Sequence, residues 1–379
     1  MNANKTVLLT GVTGQVGSEL AKLLQQNGVQ TVCLIRRQGE KSAQDRLNEV
    51  MEANLEGVIA VEGDVTLPKG GFSDDDIIKW SMRIDKIIHC AAAIEFDEKY
   101  AEKVRLVNTE GTRNMLELAD ILGVTDFHYV STAYVAGSAR VFGENDLEVG
   151  QASFNAYERA KIEAEKLVHA WGINGKSFTI HRLPIVIGNS KDGKVQGFHS
   201  YYGFAIPFWH LLKTMRQRWD KDQDNCKKDG VFFDEQDRMT IPLFIDCSEK
   251  SVLNMVPVDW VVETMFKLLK MPSSNQTYHL VHNNPPKVKW VFEVSLNDLG
   301  IDGVVYDSTP KQSALMDRIQ NGFDKKINIY RQYIKHGPVF THDNLVRVLG
   351  DNYVSPPDTD EAMLKKMLTY AKSVNFGLW

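Results

Sequence analysis

Cysteine is scarce in this chain. Cys33, Cys90, Cys226 and Cys247 are the four among 379 residues, and none has a partner at the short spacing of a metal or redox motif. That argues against a disulfide framework and a metal site, and it fits a reducing compartment. Long apolar runs are also missing. None approaches the roughly 20 residues of a membrane span, and the early Val7-Leu8-Leu9 stretch is too short for a signal-peptide core. Charge of one sign is not in excess either. A net charge of −5 gives no reason to expect nucleic acid as a partner. Internal repeats and low-complexity tails are absent. These absences leave a cytoplasmic protein with no integral membrane segment as the expectation.

What is present is an ordinary globular composition, 43% hydrophobic and 25% charged, long enough for a large domain and a smaller one. Short apolar runs alternate with amphipathic stretches through the first half. Strands are predicted at 6–10, 31–36, 58–62, 86–90, 126–130 and 178–182. The helix after the first strand carries Val16, Leu20, Leu23 and Leu24 at helical spacing and stops at Gly28, a left-handed cap. Such alternation implies right-handed crossovers and a parallel sheet. The rhythm breaks near residue 190. A helix opening at Val256-Pro257-Val258-Asp259 and a strand at 277–281 are expected to return to the main sheet.

Gly11, Gly14 and Gly17 form G-x-x-G-x-x-G between the first strand and helix. Gly11 allows a tight turn, Gly14 lets backbone amides approach a pyrophosphate at the helix N-terminus, and Gly17 lets helix and sheet pack closely. Arg36 and Arg37 end the second strand, where an NAD site would carry an acid; cations there suit a 2′-phosphate. A solvated basic loop is the alternative. Asp64 either accepts from the adenine amino group or serves as a cap or turn residue. Tyr157 and Lys161 are four apart and share a helix face. A nearby ammonium favours phenolate and would lower the tyrosine pKa.

With Gly63-Asp64-Val65, His89-Cys90-Ala91-Ala92, Asn108-x-x-Gly111-Thr112, Ser131-Thr132-Ala133 and Tyr157-x-x-x-Lys161 in order, the chain resembles an extended short-chain dehydrogenase/reductase over residues 5–190. Ala92-Ala93-Ile94-Glu95-Phe96, residues 130–137, Asn155-Ala156-Tyr157-Glu158 and residues 256–259 look like the branch of thioester reductase domains and fatty acyl-CoA reductases. The resemblance implies an α/β, Rossmann-type, doubly wound parallel sheet with a smaller, mostly helical C-terminal substrate lobe. It places an NADP-binding domain at 1–190, completed by about 255–285, and the lobe at 191–254 and 286–379. It makes Thr132, Tyr157 and Lys161 the catalytic set, with Ser131 the adjacent alternative to Thr132. Cofactor contacts are implied at Gly11, Thr13, Gly14, Gln15, Val16, Arg36, Arg37, Asp64, Val65, Cys90, Ala91, Ala92, Asn108, Tyr157, Lys161, Pro184 and Ile185, and no metal. Asn108 either positions a water or fixes the backbone. His89 ends a strand beside the cofactor rather than acting as a base. Two departures stand out: Leu183 separates Arg182 from Pro184, and Ala160 precedes Lys161 where the family often has serine or threonine.

The aromatic stretch 198–216 is either an apolar acyl channel or a buried helix over the sheet edge. Lys213, Arg216, Arg218, Lys227 and Lys228 either meet phosphates of coenzyme A or a carrier, or form a solvated face. The expected activity is NADPH-dependent reduction of an acyl thioester, small-molecule or carrier-bound, with an acyl-carrier protein acting in trans. The alternatives are reduction, oxidation or epimerisation of a secondary alcohol, sterol or nucleotide sugar, and a nucleotide-sensing scaffold.

Overall fold

The computed structural model describes residues 5–52, 54–173, 175–306 and 314–378, the side chains of 314–316 excepted. In chain order it contains β1 (Thr6–Thr10), α1 (Gln15–Gln26), β2 (Gln30–Ile35), α2 (Ala43–Val50), β3 (Val58–Glu62), α3 (Asp74–Trp80), β4 (Lys86–His89), α4 (Gly111–Leu122), β5 (Asp126–Thr132), α5 (Ala156–Trp171) and β6 (Ser177–Leu183). Then come α6 (Tyr201–Trp219), α7 (Val258–Lys270), β7 (Gln276–His279), α8 (Val288–Leu299) and α9 (Glu361–Ser373). Shorter elements are named below by their residues.

Seven strands form one parallel sheet in the order β7-β6-β5-β4-β1-β2-β3. The order reverses at β1, as the doubly wound reading requires. Strands covered on both faces read as continuous apolar runs. Leu8, Val32, Ile87, Phe127 and Tyr129 accordingly sit in one core. Local signals set the helix ends. Ser42 and Ser73 open α2 and α3 with capping boxes completed by Asp45 and Asp76. Gly28 follows α1 with φ +67°, and the Val29 N–H donates back to the Leu24 carbonyl at 3.0 Å.

The chain divides into two compact units. The first comprises 1–184, 257–281 and 338–356, and holds the sheet. Its last segment adds the strand Val339–Phe340, parallel to Val141–Phe142. The second comprises 185–256, 282–337 and 357–379. It is mostly helical, with a three-stranded sheet of Phe232–Phe233, Met239–Thr240 and Ile301–Asp302. Among the described residues no helix is long and apolar enough to cross a membrane.

Candidate functional site

The glycine turn is built by steric exclusion. Gly11 has φ +75°, and a Cβ there would lie 2.6 Å from the Ala91 amide nitrogen. A Cβ on Gly17 would lie 2.2 Å from the Gly11 carbonyl oxygen. No side chain fits at either place, so the first turn of α1 seats directly on the loop. Gly14 is the N-cap of α1 and offers no side-chain cap, and Gln15 and Val16 open the helix. The exposed amides and helix dipole at this end suit an anion. Thr10 ties the neighbouring strand in. Its hydroxyl accepts from the Ala91 N–H at 3.1 Å and lies 2.7 Å from His89 Nδ1. Burial holds the His89 imidazole down at about 3 and pushes the Cys90 thiol up to about 12. Both are therefore neutral, as a packing role requires.

Arg36 and Arg37 leave the end of β2 exposed to solvent, and Arg37 pairs with Glu62 at 3.6 Å. A third cation joins them that the strand-end pattern did not single out. Arg46, on α2, donates to the Thr13 hydroxyl at 3.2 Å and to the Arg36 carbonyl at 2.6 Å. It thereby links the glycine turn to the end of β2. Burial and the like charge of Arg36 pull its guanidinium below the ordinary value. Crowded, partly desolvated cations are what an anion relieves. The sequence signal was an arginine early in the second helix, which pattern reading treats as surface.

Asp64 Oδ1 accepts from the Thr66 N–H and hydroxyl, both at 2.9 Å, so this carboxylate closes a turn. Val65 packs below it, near Gly111. Asn108 fixes backbone. Its Oδ1 accepts from the Ala93 N–H at 2.8 Å and its Nδ2 donates to the Ala93 carbonyl at 3.0 Å. Residues 105–110 form a π-helical turn around it, a distortion that recurs at functional sites. The stretch Ala91–Ala93 is thus pinned at both ends.

Thr132 ends β5, and Tyr157 and Lys161 lie in the first two turns of α5, which Asn155 caps through the Glu158 N–H at 3.0 Å. The Thr132 hydroxyl stands beside the Tyr157 phenol, donating to the Leu183 carbonyl at 3.3 Å and accepting from the Tyr134 N–H at 3.2 Å. Phe96 meets the Tyr157 ring edge-on, centroids 5.6 Å apart. The Lys161 ammonium, buried, donates to the Val130 carbonyl at 2.8 Å and lies 4.7 Å from the centre of the Tyr129 ring. The sequence leads to a phenol drawn down by this ammonium, and that expectation is corrected. Burial pushes the Tyr157 phenol well up, the neighbouring Thr132 hydroxyl pulls the other way, and Glu158 raises it again. Burial likewise brings Lys161 down to about 8, with Glu165 opposing. Ser131 is consumed elsewhere, donating to Glu165 at 2.5 Å. Of the two adjacent hydroxyls, Thr132 is the one beside Tyr157.

Pro184 closes the first unit and Ile185 opens the second, where its N–H donates to the Asn254 carbonyl at 3.1 Å. Arg182, the residue whose spacing to Pro184 departs from the family pattern, points into the first unit and pairs with Glu165 at 2.7 Å. In the second unit the aromatics of α6 face inward. Phe204 and Phe208 line an apolar cavity with Phe292 and Leu296 of α8, and Tyr201 bonds Ser295 at 2.9 Å. Several cations flagged by sequence have internal partners: Arg218 pairs with Asp229 at 2.6 Å, and Arg216 with Asp220 and Asp237.

Comparison with known proteins follows the same lines. The male sterility protein family matches residues 9–265. The linear gramicidin synthase of Brevibacillus parabrevis is 28% identical over 388 residues, 97% of this chain and 7% of that protein. Fatty acyl-CoA reductase 1 of Arabidopsis thaliana is 36% identical over 160 residues, 35% of this chain and 32% of that protein. The chain spans no more than a third of the length of these curated relatives. Among solved structures, the terminal R domain from the myxalamid PKS-NRPS biosynthetic pathway superposes with a TM-score of 0.79 at 23% identity, covering 99% of this chain and 92% of that one, a likeness of fold. The glycine turn, the strand ends and the Tyr157–Lys161 helix all fall inside the matched residues, and the chain belongs to the male sterility protein family, whose shared region is an NAD-binding domain.

Proposed function

We propose that this chain is an NADPH-dependent reductase of acyl thioesters, taking acyl-coenzyme A or an acyl-carrier protein to the aldehyde and, with a second hydride, to the alcohol. The observation that carries the reading is the Thr132–Tyr157–Lys161 constellation beside the glycine turn, in a member of this family. The names of two relatives, a fatty acyl-CoA reductase and a gramicidin synthase, support the substrate class. The residues present fit the cofactor. The cradle that a Cβ on Gly11 or Gly17 would fill suits a pyrophosphate, and Arg36, Arg37 and Arg46 suit a 2′-phosphate.

Bound NADPH would supply a hydride to the thioester carbonyl carbon. The chain's own residues handle the oxygen and the proton. Thr132 and Tyr157 would hold the carbonyl oxygen where negative charge develops. Burial keeps the Tyr157 phenol protonated, so a proton is in place when the oxyanion forms. Lys161, held by the Val130 carbonyl, would bind the nicotinamide ribose and offset that charge. Collapse of the hemithioacetal then releases thiol and leaves an aldehyde.

Incubation with NADPH and a panel of acyl-coenzyme A and acyl-carrier substrates tests this. Free thiol should appear in step with NADPH loss, at one thiol for one or two hydrides. With apolar contacts along the chain, the specificity constant should rise by up to about fourfold per methylene and then level off. Turnover of a secondary alcohol or nucleotide sugar, with no thiol from the panel, would replace this reading.

A further inference from the structure

Tyr157, Lys161 and Glu165 are spaced by four and stand on successive turns of α5. Three successive residues of β5 meet them. Thr132 stands beside Tyr157, the Val130 carbonyl accepts from Lys161 at 2.8 Å, and Ser131 donates to Glu165 at 2.5 Å. Strand and helix are thus hydrogen-bonded at two points, with Thr132 alongside Tyr157 as a further contact. The Ser131–Glu165 latch is the more deeply braced, for Glu165 and Arg182 are both almost wholly buried.

Arg182 has all five N–H donors engaged. Nε donates to Glu165 at 3.0 Å. One terminal nitrogen donates to Glu165 and to the Asp146 carbonyl, both at 2.7 Å. The other reaches the Gly143 carbonyl at 3.3 Å and His279 Nε2 at 3.2 Å. Since that guanidinium nitrogen can only donate, His279 Nε2 accepts, and the ring's Nδ1–H donates to the Thr341 carbonyl at 2.7 Å. The ring is therefore neutral. A buried ion pair of this kind contributes little net stability compared with apolar packing, but it defines one geometry.

The surroundings of Lys161 point the same way. Facing it are Tyr157 and Glu165 from its own helix, Tyr129 from β5, and His89 and Cys90 from β4 and the residue after it. Burial keeps the two phenols and the thiol protonated and the imidazole uncharged. Within that set Glu165 supplies the negative charge.

We propose that Glu165, braced by Arg182 and Ser131, is a positioning residue: it fixes the height of α5 against β5, and its carboxylate is the counter-charge on which the buried Lys161 ammonium depends. The proposal rests on the reading of Tyr157 and Lys161 as the working pair. The experiment uses the full chain and the acyl-coenzyme A that turns over fastest, with kcat and NADPH affinity measured against pH for the unmodified protein, E165Q, S131A and Y157F. In E165Q the alkaline limb of both profiles should move down by about one pH unit, on top of a several-fold loss of kcat at every pH. S131A should lose kcat several-fold at every pH, with the limb unmoved.

E165Q leaves Arg182 unpaired and is prone to misfold. The double variant E165Q/R182M removes both charges and should show the same direction of shift. A folded E165Q or double variant with an unmoved limb overturns the counter-charge, and S131A with unmodified kcat throughout overturns the latch. Y157F separates the two readings. Undiminished turnover in Y157F brings down the proposed function, whereas a dead Y157F beside an unmoved E165Q limb removes only the role of Glu165.

Discussion

At the scale of single residues, burial presses Tyr157 and Lys161 toward their uncharged forms, and Lys161 is held by a bond to β5. Tyr157→Phe keeps the ring against Phe96 and removes the proton. Its kcat should fall by about 100- to 10,000-fold with NADPH affinity nearly unchanged. Steady-state rates and a fluorescence titration check both halves, and retention of more than about a tenth of the rate would reassign the acid. Lys161→Ala should lower both quantities. Arg46 tests cofactor choice. Arg46→Ala removes the cation between Thr13 and Arg36 and should weaken NADPH by about 1.5–3 kcal/mol, the scale of a charge-assisted contact, while sparing NADH. Equal losses for the two cofactors would mean that Arg46 only braces the turn. Tyr157 and Lys161 stood out in the sequence through a motif of fixed spacing, and Thr132 through the family resemblance. Arg46, Glu165 and Arg182 did not, because their partners lie on other elements at separations that no periodicity encodes.

At the scale of elements, the strands of the sheet were readable because each is a short apolar run between turn residues. The structure shifts their ends by one or two residues, extending β5 to Thr132 and β6 back to Ser177. The attachment of residues 338–356 was not readable. It depends on Glu144, a buried carboxylate in the loop after Val141–Phe142. Glu144 accepts from the His279 N–H at 3.0 Å, the Leu345 N–H at 3.1 Å and the Asn344 N–H. One side chain thus joins the loop, β7 and the start of the helix Asp343–Leu349, and nothing in the local sequence announces it. Glu144→Ala would leave three buried donors unpaired and should cost about 3 kcal/mol of stability, with Glu144→Gln costing less because it keeps an acceptor. Urea unfolding measures both. A loss below about 0.5 kcal/mol in the alanine variant would show that these amides find other partners.

At the scale of the whole molecule, its histidines make the fold acid-sensitive. His89, His128, His169, His181, His279, His282 and His342 are all held below the ordinary imidazole value, and burial is the largest cause in each. A base whose folded pKa is depressed binds its proton more readily in the unfolded chain. Its contribution is present above the unfolded pKa near 6.5 and is lost as pH falls below it. For His89 and His279, both held at about 3, the loss is about 1.4 kcal/mol each per pH unit below 6.5. Glu144 runs against them. Burial raises it to about 7 despite its three amide donors, so its contribution is present below the unfolded carboxylate value and fades as pH rises toward 7. One carboxylate opposes seven imidazoles, and the balance favours acid lability. The urea midpoint should therefore be lower at pH 5.5 than at pH 7.5. Replacing His279 by glutamine, which keeps a donor for Thr341 and an acceptor for Arg182, should flatten the slope by one histidine's share. A midpoint that stays level or rises on acidification would mean that these imidazoles take up protons in the folded state.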